Sequence, residues 1–81
     1  MKNYIDIYDE NDNKKQMEVV AIFKLDGYDF NYIIYSELDK SHYYIGKYKG
    51  EEIVDLNTDL SNQELVLCNK VLKAVLEDAR D

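Results

Sequence analysis

The chain has no proline, no tryptophan, three glycines, one histidine and one cysteine. Each scarcity excludes something. A single cysteine forms no disulfide within the chain. Cys68 sits on the apolar side of a helical pattern, where it reads as a small hydrophobe. Lys70 and Lys73 are near it in sequence but not on its side of the helix, so no activated thiol is expected. His42 has no second histidine or cysteine cluster to complete the three or four ligands of a metal site, so no metal or other cofactor is expected. Cations are also scarce: 10 Lys and Arg against 17 Asp and Glu, a formal net charge of −7. That balance argues against direct binding to a nucleic-acid backbone, which needs cations to release counterions. No apolar run approaches the roughly 20 residues of a membrane helix. The opening residues lack the apolar core of a signal peptide, so a cytoplasmic location is expected.

What is present is the composition of a folded protein: 46% hydrophobic residues, with eight Tyr and two Phe. The 81 residues make one domain, with room for one sheet and one helix. The hydrophobic period changes near residue 57. Before it, apolar residues alternate, as in Met17, Val19, Ala21, Phe23 and Leu25; after it they recur at helical spacing, as in Leu65, Cys68, Leu72, Val75 and Leu76. The pattern predicts an α+β fold, an antiparallel meander of four to five strands with one C-terminal helix on one face. The strands fall at about 4–9, 15–25, 28–37, 42–48 and 51–56, and the helix at about 61–79.

Asp9-Glu10-Asn11-Asp12-Asn13 is a run of turn formers. Asp26-Gly27 carries the signal of a two-residue type I′ hairpin. Gly46 inside a strand marks a bulge or the close approach of another backbone. Ser61 and Glu64 form a capping box at the helix start. Lys70, Lys73 and Arg80 suit the negative end of the helix dipole.

The helix stripe is matched by a sheet face of Met17, Val19, Phe23, Phe30, Tyr32, Ile34, Tyr43 and Ile45. The opposite face still carries Ile5, Ile7, Val20, Ile22, Ile33, Tyr35 and Tyr44. One helix cannot cover both. Either the sheet curls toward a barrel, or an apolar and aromatic patch stays open as an interface. Those seven residues are the candidate protein-interaction site.

No catalytic constellation is found. Asp9, Asn11 and Asn13 match the start of a calcium loop, but Lys14 stands where glycine is needed and Val20 where glutamate is needed. Glu51-Glu52 and Glu77-Asp78 are adjacent pairs without a cleft. Ile7, the acidic turn 9–13, Met17-Glu18-Val19-Val20-Ala21 and Phe23-Lys24-Leu25-Asp26-Gly27-Tyr28-Asp29-Phe30, with Tyr43-Tyr44-Ile45 downstream, carry a resemblance. On these residues the stretch from Ile5 to Tyr35 resembles the YrzB-like family of small acidic bacterial proteins, a domain of unknown function. The capped helix departs from the shorter or more acidic C-terminal part of that family. The resemblance implies a cytoplasmic bacterial protein and supplies no activity or functional residue. Three readings follow. The first is a non-enzymatic protein-binding or regulatory module acting on a protein partner or a second copy. The second is an acidic decoy of a nucleic-acid-binding protein. The third is a small-molecule binder or enzyme with its site at a dimer interface.

Overall fold

A computed structural model describes residues 3–8, 10–53 and 56–78. It contains β1 (Asn3–Tyr8), β2 (Lys14–Lys24), β3 (Asn31–Ser36), β4 (Tyr43–Tyr48) and α1 (Asn62–Asp78). The strands form one antiparallel sheet in the order β1-β2-β3-β4, with the helix after it. This is the α+β meander that the change of period predicts.

A fifth strand at 51–56 does not form among the described residues. Residues 51–53 bend away, 54 and 55 lie outside the described residues, and Asn57 makes one isolated antiparallel bridge to Lys47. The physical reason is that Ile53 and Leu56 turn down onto the sheet and pack on its core. In an extended edge strand, residues three apart point to opposite faces, so both could not reach this core.

β2 is not a simple alternating strand. Val19 opposes Tyr35 and Ala21 opposes Ile34, so the register shifts at Val20. One extra residue in a strand moves everything beyond it to the other face. Met17 and Val19 therefore lie with Ile33 and Tyr35, while Ala21 and Phe23 lie with Tyr32 and Ile34. Unbroken alternation had placed Met17, Val19 and Phe23 together, and the bulge corrects that grouping.

The two faces are covered by different elements. Met17, Ile33, Tyr35 and Tyr48 form a buried cluster, with Ile5, Ile7, Val19, Ile53 and Leu56 packed against it. The cover on this face is the connector between β4 and α1. Tyr32 and Ile34, fully buried on the other face, lie on the side of α1. The sheet does not curl into a barrel, since β1 and β4 do not pair with each other.

Gly46 explains how the connector comes so close. A Cβ at that position would meet Leu56 Cγ and Cδ1 at 2.9 Å. The close approach expected there is real, but the neighbour is a side chain. At the β2–β3 turn, Tyr28 N–H donates to Leu25 O at 3.2 Å. Gly27 takes φ +85° and Asp26 does not have a positive φ, which fits a type II turn rather than type I′. The connection between β2 and β3 spans residues 25–30, too long for a two-residue hairpin.

Replacing Gly46 with alanine should destabilise the fold by about 1–3 kcal/mol through overpacking. Combined with Leu56→Ala, it should cost clearly less than the two single losses added together. Urea denaturation of the three variants reads this directly.

Candidate interaction surface

The position of α1 is set at its first turn. Ser61 Oγ accepts from Glu64 N–H at 3.2 Å, and Glu64 Oε1 accepts from Ser61 N–H at 3.0 Å, the reciprocal capping box. The same carboxylate reaches the sheet. Tyr32 Oη donates to Glu64 Oε2 at 2.5 Å, and Lys47 Nζ donates to both oxygens at 3.1 Å. Tyr32 and Lys47 are direct partners across β3 and β4. Lys47 Nζ also stands 4.5 Å from the centre of the Phe30 ring. The hydrogen bond from Tyr32 and the backbone donor at Ser61 hold Glu64 down at about 2, against an ordinary 4.5. Burial and the bond to Glu64 push the Tyr32 hydroxyl up. Sequence spacing shows the capping box. It does not show Tyr32 or Lys47, which meet Glu64 only through tertiary packing.

A second polar cluster sits at the β3–β4 turn. Glu37 accepts from Lys15, from Ser41 Oγ at 2.6 Å and lies 3.2 Å from His42 Nδ1. These bonds, Lys15 first, hold Glu37 at about 2. Ser, His and Glu together suggest a relay, but His42 Nδ1 is also the atom 3.1 Å from Ser41 Oγ. A relay needs the two partners on opposite ring nitrogens, so this arrangement moves no proton along a chain.

The seven residues of the expected patch separate. Ile33 is 0% and Tyr35 4% exposed, so both belong to the core and are not an open surface. The connector is the reason: it covers the face that the helix leaves. Ile5 and Ile7 are half-buried against the same cluster, and Val20 is half-buried at the bulge. Ile22 (51%) and Tyr44 (38%) remain exposed, with Tyr44 stacked on Tyr35 at 5.5 Å between ring centres.

The structure instead draws attention to β1. Tyr4 is 48% and Tyr8 63% exposed. With Asp6 they share one side of the strand, the side on which α1 lies, while Ile5 and Ile7 face the connector. Among the described residues nothing pairs with the outer edge of β1. The β4 edge differs. Lys47 and Asn57 exchange N–H···O bonds in both directions at 2.8 Å, closing its C-terminal end. The alternation of Tyr with Ile in residues 4–8 is visible in the sequence, and a meander puts its first strand at an edge; that no described segment covers that edge is not.

Among the described residues no three His, Cys, Asp or Glu side chains converge as metal ligands. No described helix is long and apolar enough to cross a membrane. No family model, curated protein or solved structure matches the chain. The likeness to the YrzB-like family therefore stands on the quoted residues alone.

Glu64→Ala removes the helix cap and strands Lys47 in a buried site, so it should cost about 3 kcal/mol or more. Ser61→Ala should cost about 1 kcal/mol. The pH dependence has a defined sign. A carboxylate held below its unfolded value contributes stability that is complete above that value and is lost as pH falls through the folded one. The wild type should weaken between pH 4.5 and about 2, and Glu64→Gln should weaken less over that window. Some slope should remain, because Glu37 is held low as well. Urea titrations across pH measure both effects.

Proposed function

We propose that this chain is a protein-binding module acting through the β1 side of its sheet. The observation that supports this reading most is the outer edge of β1, six residues long and unpaired among the described residues. Natural sheets blunt such edges with lysine, proline, bulges or a covering segment, because free N–H and C=O groups recruit another strand. Asn3-Tyr4-Ile5-Asp6-Ile7-Tyr8 has no lysine or proline, and its pairing with β2 runs without a bulge. Two exposed tyrosines add the apolar body and polar tip common at interfaces. The proposal keeps a protein partner but moves its seat. Ile33 and Tyr35 support the core, and Tyr4, Tyr8, Ile5 and Ile7 border the edge.

The decoy reading draws less support. Glu18, Glu37 and Glu64 are each tied to a lysine of this chain. Of the others, Glu10, Asp12 and Asp39 sit in turns at one end of the sheet, and Asp26 and Asp29 in the turn at the other. A phosphate mimic needs its carboxylates along one face. A bacterial cytoplasmic setting is part of the proposal, and a free, buried Cys68 suits a reducing compartment.

The test compares three tagged baits in a nuclease-treated lysate of the host: wild type, Tyr8→Lys and Val66→Lys. Val66 is exposed on α1, so it serves as the surface control. A protein retained through high salt by wild type and Val66→Lys, and reduced about tenfold with Tyr8→Lys, is the expected outcome. Equal capture by all three baits, with circular dichroism showing all three folded, contradicts the proposal.

A further inference from the structure

Resting on that reading, we infer that β1 accepts an extended segment of a partner protein as an added strand. That segment carries an arginine or lysine seated between Tyr4 and Tyr8 against Asp6. Residues two apart on a strand are about 7 Å apart on the same side. Tyr4, Asp6 and Tyr8 thus form a row of ring, carboxylate and ring, with both rings exposed. A cation opposite the middle of the row meets a charge of opposite sign and two aromatic faces. Lys14 already points to this chemistry, with its Nζ 3.8 Å from Asp6 Oδ2. That is a long contact with both side chains largely in solvent. A guanidinium arriving from the open side forms paired, charge-assisted hydrogen bonds to the carboxylate instead.

The other side of β1 has a different character. A notch runs beside the end of the strand, lined by Ile7, Tyr8, Tyr35, Ile53 and Leu56 together with Asp6 and Thr58. Side chains of an added strand alternate between the two sides. The cation's neighbours in the partner therefore lie beside Ile5 and Ile7, the second of them at the notch, and both should be apolar. The recognition pattern is apolar–cation–apolar in an extended segment. Main-chain bonds supply the pairing, and the row of Tyr4, Asp6 and Tyr8 supplies the selectivity.

Charge chooses between occupants of the edge. A chain of net charge −7 draws a basic partner and repels a second copy of itself. Antiparallel self-pairing centred on Asp6 sets two carboxylates against each other, which is destabilising. Centring it on Ile5 avoids that clash but still brings two chains of net charge −7 together.

The probe is a displayed library of random linear peptides of about 12 residues, panned on the full chain in about 0.5 M salt to suppress non-specific attraction. Enriched peptides should alternate apolar residues with Arg or Lys. A synthetic copy should shift the backbone amides of Asn3–Tyr8 in NMR spectra and slow their exchange. Asp6→Lys should weaken its binding about tenfold, while Val66→Lys should leave it unchanged. A scrambled peptide of equal charge should bind about tenfold more weakly. Peptides that bind but shift amides on α1 or at the β2–β3 turn overturn strand addition and leave the protein-binding reading standing. Enrichment of acidic or helical peptides overturns the stated chemistry. No enrichment on folded protein overturns the inference, and lysate capture then decides the broader reading separately. A concentration-dependent dimer with β1 amides protected overturns it in favour of a second copy.

Discussion

One buried carboxylate organises this molecule. Glu64 closes the first turn of α1 through Ser61 and binds Tyr32 and Lys47 on the sheet. A charge in such a place is tolerable only with its hydrogen-bonding capacity filled, and replacing it leaves an unpaired lysine behind. The two roles are linked by geometry. The capping box turns Glu64 back toward the helix start, and that is the direction in which Tyr32 and Lys47 lie. Most of a helix's stability in a protein comes from tertiary packing, so this contact and the packing beside it hold α1 in place.

With α1 held over β3 and β4 at its start, one side of the sheet is settled and the other needs a separate cover. The connector supplies it with Ile53 and Leu56, and the missing side chain at Gly46 lets Leu56 settle. The cover is economical. Within α1 only Glu64 and Cys68 are buried, and Val66 and Leu76 stay exposed. The last turn of α1 holds no basic residue and ends on Glu77 and Asp78, so the expected dipole support is absent there. Arg80 lies outside the described residues. Burial is therefore concentrated at the first half of the helix and in β2 to β4. Among the described residues, β1, on the far side of β2, has strand pairing on one edge only.

Local signals were legible in the sequence, and signals that depend on pairing were not. The change of period near residue 57 gave the strand–helix order, and Ser61 with Glu64 marked the helix start to within a residue. Val20 hid the bulge because Val19-Val20-Ala21 is apolar throughout and suits either face. Register was decided by Ile34 and Tyr35 across the ladder. Nothing local to Lys47 shows that the helix brings an anion to it. Ile33 and Tyr35 looked available because a connector carrying two apolar residues read as a strand. A meander places β1 at an edge, but alternation alone does not show whether another segment covers it.

The account turns on β1 being a well-formed strand whose outer edge is open in the free protein. Residue-resolved amide hydrogen exchange on the isolated chain tests this most directly. Within Asn3–Tyr8, alternate amides should be protected by β2 while those between them exchange close to the rate of an unfolded chain, and β3 amides should be slow throughout. Uniform, concentration-independent protection along β1 would mean that another part of the chain covers this edge, and the proposed docking strand would then be the wrong one.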